Sequence, residues 1–240
     1  MAIWQGARPR HNVRRMTYEL FIGDRLFSTW SLRGWLMLEK FGLPYRAHMI
    51  GLYGGTMAED MSELAPARLV PTLRLPDGTV VGESIAMAET LHERHADAGL
   101  WPADPAARAT ARWLAAEMAS GFAPLRTACP MNLAHVNQGF EPSEAVTADV
   151  ARIETLWAHA QRFATDGPWL FGAYSLADVF YAPVCARMVG YDLPVGDWAQ
   201  AYCHTTLSDP AFQAWRVEGL KISYDPMPYD MGLPTRPWPV

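Results

Sequence analysis

The stretch from Tyr18 to Lys40 constrains the fold more than any other. Tyr18-Glu19-Leu20-Phe21-Ile22 reads as a short strand, apolar or aromatic at every position but Glu19. Gly23-Asp24 breaks it, and from Ser31 a helical pattern runs through Leu32, Trp35, Leu36 and Leu38 until Gly42 and Pro44 end it. Ser28-Thr29-Trp30-Ser31 lies between strand and helix. A helix start presents free backbone N–H groups and a partial positive charge, so it holds an anion or lowers the pKa of a thiol. One hydroxyl suffices to cap a helix. Three hydroxyls around a tryptophan exceed that need, and the stretch is therefore a candidate site as well as a structural start.

The pattern continues as mixed strands and helices. Tyr45 to Ile50 reads as a second strand, giving β-α-β, and Gly51 to Ala65 as a loop with room for one helical turn. Leu69 to Leu75 is a strand with Pro71 near its head, Pro76-Asp77-Gly78 a tight turn, and Thr79-Val80-Val81 the antiparallel return. Glu83-Ser84 opens a helix whose one side carries Ile85, Met87, Ala88, Leu91 and His92. A Pro at the head of such a strand suggests a cis Val70-Pro71 bond that turns the Val70 backbone outward, although an ordinary trans edge position is the commoner case. After Trp101-Pro102-Ala103-Asp104-Pro105 the composition shifts, and from Ala106 nearly everything is helical. Val150-Ile153-Leu156-Trp157-Ala160-Phe163 is an amphipathic stripe. Ser175 and Asp178 form an S-x-x-D capping box that starts a buried helix and has no catalytic role. The order is that of an α+β protein.

Composition narrows the function classes. Half the residues are hydrophobic, which suits a soluble globular protein, and the formal net charge is −5 without a basic stripe, which argues against a nucleic-acid surface. No apolar run reaches the ~18 residues of a membrane span. Residues 1–15 carry four arginines and no acid, lack the apolar core of a signal peptide, and read as a disordered basic extension. Cys129, Cys185 and Cys203 have no metal-like spacing and suit a reducing, cytoplasmic compartment. His92 and His95 stand three apart without a third ligand, so no metal site is expected.

Four separate places together resemble the cytosolic glutathione transferases. Ser28-Thr29 with Arg33 resembles the Ser-type active-site stretch of the zeta, phi and tau classes, and F-S-T-W-S-L-R is close to the S-S-W-S-L-R run of a bacterial subgroup. Val70-Pro71 resembles the family's cis-Pro position, and Glu83-Ser84-Ile85-Ala86 its E-S-x-A-I helix start. The fourth place is the Ser175/Asp178 box. Glu117-Met118 with Ser120-Gly121-Phe122 and Pro130-Met131-Asn132 also resemble that subgroup.

The resemblance implies a thioredoxin-like N-terminal domain (βαβ-ββα, residues 16–98), a linker at 99–105, and an all-helical C-terminal domain at 106–223, with a Pro- and Tyr-rich tail at 224–240. It implies glutathione as co-substrate, bound by Ser28, Trp30, Leu69, Val70, Pro71, Glu83 and Ser84. Ser28 or Thr29 would act on the thiol; alignment on Arg33 favours Ser28, with Ser31 as the cap and Arg33 structural, paired with an acid. Trp113, Met118 and Phe122 are expected to line a pocket for a small hydrophobic electrophile, and the protein to be a homodimer. The family often has Lys two residues before its cis-Pro; here Leu69 stands there, with Arg68 beside it. No Cys occurs between Met16 and Leu100, which argues against thiol-transferase chemistry.

The implied activity is transfer of glutathione to an electrophile, with a zeta-like cis–trans isomerase of the maleylacetoacetate isomerase type as the alternative. A non-catalytic interaction module of the same fold is the competing class. The set Ser28, Val70-Pro71 and Glu83-Ser84 favours an enzyme, because a scaffold has no physical need of a carboxylate site.

Overall fold

In the computed structural model, Tyr18–Ile22 (β1) is an inner strand of a four-stranded sheet ordered β2-β1-β3-β4, with β2 at Tyr45–Met49, β3 at Thr72–Arg74 and β4 at Val80–Val81. Residues 17–222, 224 and 229–239 are described; the basic extension expected over 1–15 lies outside them, as does part of the tail. β1 runs parallel to β2, with Leu20 against Ala47, and antiparallel to β3, with Leu20 against Leu73. A parallel pair requires a crossover, and α1 (Thr29–Glu39) supplies it. β3 is shorter than the sequence pattern suggests because Pro71 has no N–H for the ladder, which leaves Leu69 and Val70 in the preceding loop. After Met57–Asp60 (α2) and a single 3-10 turn at Ser62–Leu64, the mixed part ends with α3, Ser84–Arg94.

The helical part comprises α4 (Pro105–Ser120), α5 (Ala123–Ala128), α6 (Glu144–Gln161), α7 (Leu176–Gly190), α8 (Asp197–Ser208) and α9 (Pro210–Gly219). Its starts are written locally. Asp104 accepts from the N–H groups of Ala106 and Ala107, with Pro105 as first helical residue, and Ser175 and Asp178 form the expected capping box. Apolar on all sides, α7 is buried along nearly its whole length. A thioredoxin-like mixed sheet followed by helices is thus the observed fold class. One element departs from the expected all-helical second half: His135–Asn137 (β5) pairs antiparallel with Thr235–Pro237 (β6), which ties the C-terminal segment back onto the helices.

α1 joins the two halves. Nearly all its residues are buried, because the sheet lies on one side and α7 and α9 on the other. The Trp35 and Trp215 rings stand 5.3 Å apart, and the Trp215 indole donates to the Arg25 carbonyl at 2.6 Å. Arg33 is structural, but not through an acid: its Nε donates to the Phe180 carbonyl at 2.9 Å, and among the described residues no carboxylate pairs with it.

The close approach of α1 to the β3 loop is made at Gly34, where an added Cβ would stand 2.6 Å from Pro71 Cβ and 2.8 Å from its Cγ. A proline ring has no rotamer in which to retreat. Gly34→Ala is therefore expected to lower the melting temperature, overpacking costing about 1–3 kcal/mol against a helix-propensity gain of about 1 kcal/mol. A melt at or above the wild-type temperature would show that the Pro71 loop yields.

Candidate active site

The hydroxyls at the start of α1 have unequal commitments. Ser28 is the N-cap: its Oγ accepts from Ser31 N–H at 3.3 Å and donates to Ser31 Oγ at 2.7 Å. Ser31 is fully buried, and its Oγ accepts from Gly23 N–H at 2.9 Å. Ser28 thus takes the capping role expected of Ser31, and its hydroxyl hydrogen is already engaged. Among the described residues the Thr29 hydroxyl makes no hydrogen bond, and Thr29 lines a cavity.

Two cavities meet at Trp30. The first, about 280 Å³, gathers Trp30, Leu69, Val70, Pro71, Glu83 and Ser84, which are six of the seven expected glutathione contacts; Ser28 is not on its wall. The Val70-Pro71 bond is cis, as the sequence suggests. Glu83 precedes α3 and is exposed, Ser84 opens the helix and is buried, and neither side chain has a partner among the described residues. Arg68 does not reach this cavity; it lines a neighbouring groove of about 570 Å³ that also touches Leu69 and Glu83.

The second cavity, about 390 Å³, is bounded by Phe27, Thr29, Trp30, Arg126, Arg187 and Tyr229 among others. Trp30 and Arg126 belong to both cavities. The Arg33 and Arg126 guanidiniums lie 4.4 and 5.2 Å from the Trp30 ring centre, a cation–π arrangement. Arg126 is steadied from α4, donating to the Gly121 carbonyl at 3.2 Å beyond the helix end, where Phe122 takes the left-handed conformation (φ 57°) and starts α5. Arg187 is buried and donates through Nε to the Cys129 carbonyl at 2.9 Å.

Burial, and then the like charge of Arg126, pull the Arg187 pKa down to about 10. Arg33 is drawn well below its ordinary value by burial, then by Arg187 and Arg126. Arg187 still carries its charge at neutral pH. Among the described residues none of these three arginines has a carboxylate within ion-pair distance. A desolvated cation without a counter-ion is costly, and an anion entering the cavity relieves that cost for buried Arg187, with half-buried Arg126 beside it on the wall.

The residues expected for the electrophile pocket are not there. Trp113 is half-exposed on the outer side of α4, its indole donating to Glu117 at 2.9 Å. Met118 is wholly buried in the core, and Phe122 is buried at the α4–α5 junction. None lines either cavity, because α4 packs on α6 and α7 and its apolar stripe is consumed by that packing. The cavity beside Thr29 takes its apolar lining from Phe27, Trp30, Pro130 and Met131 instead, and two arginines, Arg126 and Arg187, stand among them. Cys129 is a buried thiol whose pKa is pushed up to about 12 by burial, hence inert. His95 meets the Tyr18 hydroxyl at 2.7 Å, and the described residues contain no cluster suited to a metal ion. No described helix is long and apolar enough to cross a membrane.

Sequence reasoning missed Phe27, Arg126, Arg187 and Tyr229. For Arg187 a signal was available: it is the one basic residue in the apolar run Leu176 to Gly190.

Comparison with known proteins identifies the family. Residues 27–94 match the family model of the glutathione S-transferase N-terminal domain, and residues 143–216 that of the C-terminal domain. Maleylacetoacetate isomerase of Rattus norvegicus is 31% identical over 66% of this chain and 72% of its own length. A probable maleylacetoacetate isomerase of Caenorhabditis elegans is 37% identical, but over 40% of this chain, and the match spans less than half of that protein, 44%. Among solved structures, maleylacetoacetate isomerase from Anaeromyxobacter dehalogenans 2CP-1, with glutathione bound in its active site, superposes with a TM-score of 0.59 at 27% identity, covering 83% of this chain and 94% of that one. The chain belongs to the glutathione S-transferase superfamily, on its zeta, maleylacetoacetate isomerase-like branch.

Proposed function

We propose that this protein is a glutathione-dependent enzyme acting on a small electrophile that bears a carboxylate, and that its reaction is cis–trans isomerisation. The observation that carries this reading is the pair Arg126 and Arg187 on the cavity beside Thr29, without a carboxylate partner among the described residues. Glutathione occupies the cavity of Trp30, Val70, Glu83 and Ser84, its carboxylate end at the α3 start, where free N–H groups favour negative charge. The naming of the curated relatives, and glutathione in the A. dehalogenans structure, support both halves of the proposal.

The chemistry follows from a thiolate next to a helix start. A thiol of pKa ~8.5 lowered by one or two units gains about tenfold or more in thiolate at neutral pH. Thr29 is the hydroxyl proposed to face the sulfur, since Ser28 is engaged with Ser31. The thiolate adds to the β-carbon of a cis double bond conjugated with a carbonyl, and the π electrons move to the carbonyl oxygen. The former double bond, now single, rotates. Return of the electrons restores the double bond as trans and expels the thiolate, so glutathione is regenerated. The arginines hold the carboxylate while the bond turns. Conjugation is the second reading: the same adduct is trapped if the enolate is protonated before the thiolate leaves. A homodimer belongs to this proposal through the resemblance alone, and a cytoplasmic setting through the cysteine usage; the role that the Ser-type motif assigns to Ser28 passes to Thr29.

Titration with glutathione tests it, followed by thiolate absorbance and binding heat. Thr29→Val is expected to raise the bound thiol's pKa towards ~8.5, whereas Ser28→Ala is expected to lose about 1 kcal/mol of stability as a broken cap with the thiol little changed. The reverse pattern moves the role back to Ser28. Absence of binding at millimolar glutathione rejects an enzyme of this kind. With a cis-enone acid, a trans product and undiminished glutathione mark isomerisation; an accumulating adduct marks transfer.

A further inference from the structure

The cavity beside Thr29 has a wall that does not come from either half of the fold. Tyr229, from the C-terminal segment, stands on it, its ring 4.7 Å from that of Phe27 and tilted by 39°. The Tyr53 hydroxyl, from the loop after β2, donates to the Tyr229 hydroxyl at 2.7 Å. Accepting from Tyr53 leaves the Tyr229 hydroxyl its own hydrogen to donate. Arg187 lines the same cavity. A phenol and a guanidinium therefore face one space between them.

The segment that carries Tyr229 is fixed at the far end. β6 is paired with β5, Val136 against Arg236, and Gln138 N–H donates to the Pro234 carbonyl at 2.7 Å. Arg236 pairs with Asp192, and Trp238 is buried against Gly190 with the Arg216 guanidinium 5.6 Å from its ring centre. Near Tyr229, the Tyr224 hydroxyl donates to Asp24, in the loop that leads into α1. This anchoring holds a large amphipathic ring on the cavity wall.

We propose that Tyr229 is a specificity-determining residue: its ring limits the size of the acid that enters the cavity, and its hydroxyl donates to the carboxylate that Arg187 faces. The inference rests on the acid-accepting cavity of the proposed function. It adds to that reading a residue outside both family-matched regions, 27–94 and 143–216.

The test uses the full chain and two probes, maleate as a small acid and 4-biphenylcarboxylate as a large one, titrated calorimetrically into wild type, Tyr229→Ala and Tyr229→Phe. Glutathione is titrated separately into each. Wild type is expected to bind maleate at least about tenfold more tightly than the biphenyl acid. In Tyr229→Ala that preference is expected to shrink by about tenfold or more. Tyr229→Phe is expected to keep the size preference and to weaken maleate about fivefold, the effect of one hydrogen bond. A Tyr229→Ala preference within about twofold of wild type, or a wild type that binds neither acid, overturns the proposal. Unaltered thermal melts exclude misfolding as the cause. Glutathione distinguishes the failures. Bound glutathione with acid binding whose size preference is unchanged in Tyr229→Ala rejects Tyr229's role alone. Bound glutathione without acid binding rejects the acid-accepting cavity and Tyr229's role with it. Acid selectivity without glutathione binding rejects the glutathione-dependent reading and leaves Tyr229 standing.

Discussion

Replacing Asp178 by alanine is expected to remove about 4 kcal/mol of stability, the upper range for loss of a buried hydrogen-bonded charge. The carboxylate is fully buried and holds four donors. Oδ1 accepts from Leu170 N–H and the Tyr202 hydroxyl, both at 3.0 Å, and Oδ2 from Ser175 N–H at 2.8 Å and Ser175 Oγ at 3.1 Å. Truncation orphans them all in a place water does not reach, each at about 1–3 kcal/mol when counted alone. These costs do not add, because Ser175 still caps α7 and the local backbone relaxes. At 240 residues, a loss of that size corresponds to a fall in melting temperature of roughly 8–16 °C. Circular dichroism melts of Asp178→Ala and Asp178→Asn measure it. The asparagine variant is expected to lie between, since one amide oxygen accepts while its NH₂ faces former donors. A shift under ~2 °C, less than 1 kcal/mol for a chain this long, would mean that α7 is held by its apolar packing alone and that the box is dispensable. Burial outweighs the four hydrogen bonds and raises the Asp178 pKa to about 6.

The second large effect concerns the substrate. Arg126→Met keeps the apolar stem beside Trp30 and removes the charge shared by both cavities. For a carboxylate-bearing electrophile, kcat/KM is expected to fall about 10- to 150-fold, the worth of one charge-assisted hydrogen bond of 1.5–3 kcal/mol. The loss should appear mainly in KM, because the carboxylate is held alike before and during bond rotation. An uncharged electrophile such as 1-chloro-2,4-dinitrobenzene should lose less than about threefold, having no charge to pair. Arg126→Lys should recover part of the loss, as a point charge without the planar fork. Equal losses with charged and uncharged electrophiles would instead indicate that Arg126 acts by holding the end of α4, where it donates to the Gly121 and Ala119 carbonyls.

Much of the fold is legible in local sequence. The β1–α1 start, the Pro76-Asp77-Gly78 turn and the Ser175/Asp178 box each depend on residues within a few positions of one another, and each is found where the pattern puts it. Six expected contacts, Trp30, Leu69, Val70, Pro71, Glu83 and Ser84, share one cavity for a related reason. They sit at helix starts and strand heads, and the βαβ-ββα order brings those ends to one end of the sheet. The second cavity was not legible. Periodicity along α4 identifies Trp113, Met118 and Phe122 as a stripe, but cannot say whether a stripe meets a cavity or another helix. The choice between Ser28 and Thr29 was equally hidden, because a shift of the helix start from Ser31 to Thr29 decides which hydroxyl caps and which is left unpaired.

By itself, then, the sequence determined the fold class, the order of its elements and the wall built from the helix and strand ends that the topology gathers. Those features follow from neighbours along the chain, where periodicity, caps and turn residues act over a few positions. The tertiary structure alone decided that Arg126 of α5, Arg187 of α7 and Tyr229 of the C-terminal segment face one space beside Thr29. Their separation along the chain leaves no common local pattern; only the packing of α7 on α1 and the pairing of β6 with β5 bring the charges and the ring together.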